Sequence, residues 1–208
     1  MFKKLASIFR SLKNDVKKYV DASRFNDAVA MATSWDALNT STSNFDVRKL
    51  VVTSGCIKYK VTIQAKMFFG IFIVAGLGFL SFVGPRQYGR WIPESFLTEG
   101  LAQLVCLFFI AFGVFFLYYV SIPIEFIKSR SSLEIGRGKR RKSIAFSEIY
   151  AVQLIASTEG SDYYNYQLNI VFSNAERLNI VVYSNLDRAC EEANIISHYI
   201  HKPLWKAV

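Results

Sequence analysis

The stretch "MFFGIFIVAGLGFLSFVG", residues 67–84, holds no ionisable side chain over 18 positions, and "LAQLVCLFFIAFGVFFLYYV", residues 101–120, holds none over 20. As helices rising about 1.5 Å per residue, the two runs reach roughly 27 and 30 Å, which matches the hydrocarbon core of a bilayer. A helix bonds its own backbone polar groups where no water can reach them, so a helical hairpin over 67–120 is the simplest structure for the pair. The rival is a hairpin buried inside a soluble protein. The first run starts more than sixty residues into the chain, so it is not expected to be a cleaved leader.

Composition points the same way. A chain of 208 residues has room for one domain or a small pair of units, and 18 Phe with 11 Tyr is a heavy apolar load for a protein wetted on every side. Tyr118 and Tyr119 near the end of the second run, with Tyr88 and Trp91 in the link, suit the membrane–water interface.

Charge predicts the orientation. Residues 1–66 carry 12 Lys and Arg against 5 acids, and residues 121–208 carry 11 against 9. The link from Pro85 to Gly100 has only Arg86 and Arg90 against Glu94 and Glu99. Cations favour the cytoplasmic side, so both long arms are expected inside and the link outside. Cys56, Cys106 and Cys190 are far apart in sequence and lack metal-ligand spacing, so free thiols are expected.

The spans read as anchors. Neither carries the Asp, Glu, Lys, Arg or His that ion and proton paths place within a membrane. Gly70, Gly76, Gly78, Ala102, Cys106 and Gly113 allow close helix approach, either inside the hairpin or against another membrane protein.

The arm ahead of the spans has two parts. Over residues 1–20, Phe2, Leu5, Ile8, Phe9, Leu12, Val16, Tyr19 and Val20 fall within about 120° of a helical wheel, with Lys3, Lys4, Arg10, Lys13, Lys17 and Lys18 around the rest. That is the build of a helix lying in the interface of an anionic leaflet, although a helix packed on its own protein shows the same stripe. A mitochondrial presequence is disfavoured, because lysines outnumber arginines five to one and Asp15 interrupts the run. Residues 1–45 are thus expected as an amphipathic helical arm, with a second helix over Ala22 to Leu38 and a loop over Asn39 to Asn44. Residues 46–66 form a strand-rich segment, in which Ile57, Tyr59, Val61 and Ile63 alternate with polar residues.

Residues 121–208 continue in strands: Ile124 to Lys128, Leu133 to Ile135, Ile149 to Ser157, Tyr163 to Phe172 and Arg177 to Tyr183. A turn at Ser173 to Glu176 makes the last two a hairpin. A helix follows, with Ser184 and Asp187 as a capping box, Leu186, Ala189, Ala193, Ile196 and Ile200 as its apolar stripe, and Pro203 as the stop. The predicted class is an α+β membrane protein: a two-helix transmembrane hairpin, 67–84 and 101–120, with a cytoplasmic antiparallel sheet closed by a carboxyl-terminal helix.

The runs "RRKSIAFSEIYAVQLI", "YNYQLNIVFSNAERLNIVVYS" and "ACEEANIISHYIHKPLW" resemble the pleckstrin-homology-like (PH-like) domains that follow transmembrane hairpins in many bacterial membrane proteins. The resemblance covers about residues 123–206 and lies in apolar spacing. "GLGFLSFVGPRQYGR", Gly76 to Arg90, with the hairpin-then-domain layout, is more loosely similar to photosystem I assembly factors, from which the long amino-terminal arm departs. The first resemblance implies a bacterial inner membrane, the second family belongs to chloroplasts and cyanobacteria, both imply binding and assembly work, and neither implies a catalytic residue.

"GRGKRRKSIAFSEI", Gly136 to Ile149, sets Lys139, Arg140, Arg141 and Lys142 in or beside a turn, within about twenty residues of Val120. Each cation near a cytoplasmic leaflet is worth roughly 1 kcal/mol against anionic lipid, so Lys139 to Lys142, with Lys3, Lys4 and Arg10, are the candidate lipid-headgroup contacts. The plain alternative is a solvated turn that only sets topology. Nucleic acid fits less well, because the aromatics alternate on strands and no helix carries a basic recognition face. The glycines lack the spacing of a nucleotide loop.

His198 and His201 lack a ligand set with metal spacing, and no nucleophile–base or paired-carboxylate pattern stands out, so no catalytic residue, metal or cofactor is expected. The expected role is a non-catalytic inner-membrane scaffold or accessory subunit, both termini cytoplasmic, whose partners are the membrane and other membrane proteins. A small oligomeric channel or transporter subunit is the alternative.

Overall fold

The computed structural model describes residues 20–39, 45–83, 93–157 and 165–208. Residues 1–19 of the expected interfacial helix, residues 40–44 of the expected loop and residues 85–92 of the link between the spans lie outside the described residues. The class is α+β, with two apolar helices and two largely antiparallel sheets. The chain divides into two compact units. One joins the segment ending at Asp46 with Leu50–Lys58 and Ile124–Val208, and the other joins Val47–Lys49 with Tyr59–Pro123.

The second unit holds the two apolar helices, α2 (Ile63–Val83) and α3 (Pro93–Val120). Within them Ile63–Ser81 and Gly100–Val120, 19 and 21 residues, are long and apolar enough to cross a membrane. The helices approach closely at two reciprocal points. A Cβ on Gly76 would fall 2.8 Å from the Cys106 carbonyl oxygen, and one on Gly113 would fall 2.8 Å from that of Phe69. Phe69 stacks on Phe116 with ring centres 5.5 Å apart, and Phe72 meets Phe109 and Phe112. Gly70 and Gly78 face open space. At the end of α3, Arg48 Nε donates to the Val120 carbonyl at 3.1 Å, a cation set on the negative end of the helix dipole.

The first unit holds the four-stranded sheet and most of the five-stranded one, with Arg48–Lys49 of its first strand and Tyr59–Val61 of its second assigned to the other unit. The five-stranded sheet runs in order β1 (Arg48–Thr53), β2 (Cys56–Val61), β3 (Ile124–Ile127), β4 (Ser132–Ile135) and β5 (Lys142–Ala145). Since β2 pairs antiparallel with β3, both apolar helices lie, along the chain, between two neighbouring strands. One row across the sheet is Ile57, Phe126, Leu133 and Ile144, at most 2% exposed.

The four-stranded sheet has the order β8 (Arg177–Tyr183), β7 (Asn165–Phe172), β6 (Ile149–Ser157) and β9 (Leu204–Ala207). Helix α4 (Leu186–Ile200) lays Ala189, Ala193, Ile196 and Ile200 on the β6–β7 side. The opposite face is covered by residues 22–39. There Ala30 packs with Ala151, Val171 and Trp205, and Phe25 stacks on Trp35 at 5.0 Å.

Three expectations need correction. No continuous helix forms over 22–38: a short 3-10 turn, Ala22–Phe25, ends at Asn26 in the left-handed region, and α1 (Ala28–Ala32) ends at extended Thr33. Asp27 starts α1 by accepting from the Val29 and Ala30 amides, and Trp35 folds back to donate to the Ala30 carbonyl. Pro203 ends α4 without ending the fold, because β9 follows and pairs parallel with β6. Asn185, rather than Ser184, caps α4, and Ser184 instead gives its N–H and hydroxyl to Asp46.

Candidate functional site

The basic run lies at the β4–β5 edge of the five-stranded sheet. Between these strands the backbone turns through Gly136 at φ +106° and Gly138 at φ +52°, with a 3-10 turn over Gly138–Arg140. A Cβ on Gly136 would come 2.6 Å from the Arg140 carbonyl oxygen, so both the conformation and the space call for glycine. The turn delivers Ile135 opposite Lys142.

That register divides the four cations. All four are exposed, and what sets Arg141 apart is its pairing. Arg141 reaches back across the sheet to Glu134 and lies 3.5 Å from the Glu125 carboxylate. Lys58, Glu125, Glu134 and Ser143 form one cross-strand row, neighbour by neighbour. Two carboxylates directly opposite each other repel, and Arg141 between them offsets that cost. Glu134 is 4% exposed, and it also accepts from Arg130 Nη1 at 3.0 Å and from the Ser132 hydroxyl at 3.4 Å. A buried carboxylate needs such donors, since an unpaired charge there costs several kcal/mol.

Arg130, Ser132, Glu134, Arg141, Ser143 and Glu148 line an open groove of about 500 Å³. Its charges are mixed and largely spent on one another, so it offers an incoming anion less than the sequence count of cations suggests. The exposed trio Lys139, Arg140 and Lys142 stands outside that exchange.

Lys3, Lys4 and Arg10 lie outside the described residues. Cys56, Cys106 and Cys190 are free thiols, and burial pushes the Cys56 thiol up. His201 is the left-handed cap of α4, with its N–H bonded to the His198 and Ser197 carbonyls. Among the described residues no three His, Cys, Asp or Glu side chains are grouped to hold a metal.

The sequence reading missed Glu125, Glu134 and Arg130 as partners of the basic run. Their signal was faint: Glu134 interrupts the apolar residues of "SLEI", and only the register shows which cation answers it. It also missed a polar cluster on the four-stranded sheet. Gln153, Gln167 and Asn169 are fully buried there, and Asn169 donates to Gln153 at 3.1 Å.

No family model matches the chain, and no curated protein matches it significantly.

Proposed function

We propose that the chain is a non-catalytic membrane-anchored scaffold or accessory subunit. Its helical hairpin holds a PH-like sheet-and-helix domain at the cytoplasmic face of a bacterial inner membrane, with both termini inside, where it recruits or stabilises other membrane proteins. The observation that carries this reading is the outward apolar surface of α2 and α3. Met67 and Val74 are 70% exposed and Leu104 and Phe108 64% exposed, whereas the core helices of a soluble protein turn such residues inward. The resemblance of residues 123–206 to PH-like domains supports the binding role, and the exposed Lys139, Arg140 and Lys142 are candidate contacts to anionic headgroups.

Gentle detergent extraction of the tagged full-length chain, followed by mass spectrometry, tests the role. A reproducible membrane-protein partner at fixed stoichiometry is expected. A chain that leaves the membrane in carbonate washes, or that purifies alone under every mild detergent, overturns it. Orientation is tested with a Gln87→Cys variant, which is expected to react with an impermeant thiol reagent on intact cells while Cys190 reacts only after permeabilisation.

A further inference from the structure

The two faces of the four-stranded sheet are built differently. On the α4 side Val152, Leu154, Leu168 and Ile170 are apolar and fully buried. On the other side the same strands present Gln153, Gln167 and Asn169, equally buried and set among the apolar Ala151, Ile155 and Val171, under residues Ser34 to Asn39, whose backbone bends at Asp36 and Leu38. A face covered once and for all gains most from apolar packing, as the α4 side does. Buried amides gain less, and they tolerate water when uncovered.

These polar side chains grip main-chain atoms. Gln153 Nε2 donates to the Ser34 carbonyl at 3.2 Å, and Arg177 donates to the Asp36 carbonyl at 2.8 Å. Gln167 Oε1 accepts from the Leu38 N–H at 2.9 Å and the Asn39 N–H at 3.3 Å, while its Nε2 donates to the Asn39 carbonyl. The contacted groups follow a bent path, since the consecutive Leu38 and Asn39 N–H groups share the one Gln167 oxygen. The gripping groups are themselves held, since Gln153 Oε1 accepts from Asn169 at 3.1 Å and from Arg177 at 3.3 Å, and Asn179 donates to Asn169 at 2.9 Å. Bonds to main-chain atoms suit any segment that can take this bent path and whose side chains fit.

We infer that this face is a binding site for a peptide segment of a partner protein that takes the same bent path, and that residues 34–39 are a strap that occupies it until the partner's segment replaces them. Phe25 and Trp205 form the fixed socket in which Trp35, the strap's aromatic anchor, sits. Recognition is by main-chain hydrogen bonds to Gln153, Gln167 and Arg177, with one aromatic side chain of the incoming segment seated where Trp35 sits. The inference deepens the scaffold reading by giving the partner a chemistry. It is tested by direct peptide binding, so its failure is separate from a failure to find a co-purifying partner.

The probe is a fluorescent, end-blocked peptide with the sequence of residues 33–39, TSWDALN, added to the full-length protein in detergent. Trp35→Ala loosens the strap and leaves the gripping residues in place. This variant is expected to bind the peptide at least about tenfold more tightly than the wild type. Adding Gln167→Ala, or N-methylating the peptide at its Leu and Asn, is expected to remove the gain. Equal binding by wild type and variant, or undiminished binding of the methylated peptide, overturns the site. Hydrogen exchange on the wild type covers the case in which Trp35→Ala does not fold. The Leu38 and Asn39 amides are expected to exchange at least about a hundredfold faster than those of Leu168 and Ile170, through local opening of the strap. Exchange at one common rate would mean that the strap leaves only on global unfolding, and would overturn the proposal.

Discussion

The guanidinium of Arg188 lies 2.9 Å from the carboxylate of Asp46, so the first turn of α4 is tied to a residue 142 positions earlier in the chain. Asp46 also accepts from the Ser184 N–H at 2.7 Å and its hydroxyl at 3.0 Å. Asp46→Ala leaves these donors without their acceptor. The expected cost is about 2 kcal/mol, held to that by the partial exposure of Arg188, and Asp46→Asn is expected to recover about half. Thermal unfolding of the full-length protein in detergent measures both. A loss no larger than that of an exposed-site control would remove the tie from the account.

Glu192 extends the same network, accepting from the Leu50 N–H at 3.2 Å and from the Tyr183 hydroxyl at 2.8 Å. Burial raises its carboxyl above the ordinary 4.5, with Asp46 pushing the same way against the Leu50 and Tyr183 bonds and the Arg188 charge. The folded state therefore holds the proton more firmly than the unfolded chain. Stability from this group is greatest at acid pH and is lost as pH climbs from about 4.5 through the raised value. The stability of the wild type relative to Glu192→Gln is expected to fall across that window and then level off. Measuring both melting temperatures from pH 4 to 8 checks the sign, and a difference that rises with pH would contradict it.

The helix contacts separate two classes of glycine. Gly76→Val and Gly113→Val drive a side chain into a facing backbone carbonyl and are each expected to cost about 1–3 kcal/mol or to separate α2 from α3. Gly70→Ala and Gly78→Ala meet open space and are expected to leave the hairpin unchanged or slightly firmer. Thermal stability of the four variants in one detergent decides, and equal behaviour across both pairs would count against this packing.

Much of the secondary structure was legible because its signals are local. An uncharged run of twenty residues and the 3.6-residue stripe ending at Ile200 each declare one element, while the alternation read over Ile57 to Ile63 declares a strand that ends at Val61, with Ile63 opening α2. What stayed hidden depends on distant neighbours. Phe25, Val29 and Trp35 have helix-like spacing, yet they gather because Trp205, 170 positions beyond Trp35, packs against the stacked rings of Phe25 and Trp35. "LWKA" is only four residues after a proline and becomes a strand because β6 has an open edge beside it. The basic run could be counted, but the inward turn of Arg141 is set by the pairing of Ile135 with Lys142 and by Glu134 across the sheet.

Because β2 pairs with β3 and residues 22–39 cover the four-stranded sheet, residues 124–208 lack part of their own unit. Expressed alone, that fragment is expected to be unstable or aggregated, since it exposes a strand edge at β3 and the Ala151, Val171 and Trp205 face. Supplying residues 20–62 in trans is expected to restore part of the lost protection from proteolysis. A fragment that unfolds cooperatively with the stability of the full-length domain would show that the amino-terminal segments add nothing.

The division of the basic run yields a test that the whole cluster could not. If Lys139, Arg140 and Lys142 contact anionic headgroups, an amine-reactive reagent should modify Lys139 and Lys142 more slowly in full-length protein held in nanodiscs rich in anionic lipid than in neutral ones. Raising salt through the physiological range should narrow the difference, since exposed charges are screened over about 8–10 Å. Arg141→Gln should leave that lipid dependence intact and instead destabilise the domain by about 1–3 kcal/mol, because Glu125 and Glu134 then face each other without the cation between them. Lys139→Glu with Lys142→Glu should do the reverse, changing stability little and leaving the remaining lipid dependence near zero in the labelling of an introduced Arg140→Lys. Identical labelling in anionic and neutral nanodiscs would leave the trio as a solvated turn, with Arg141 holding the two carboxylates together.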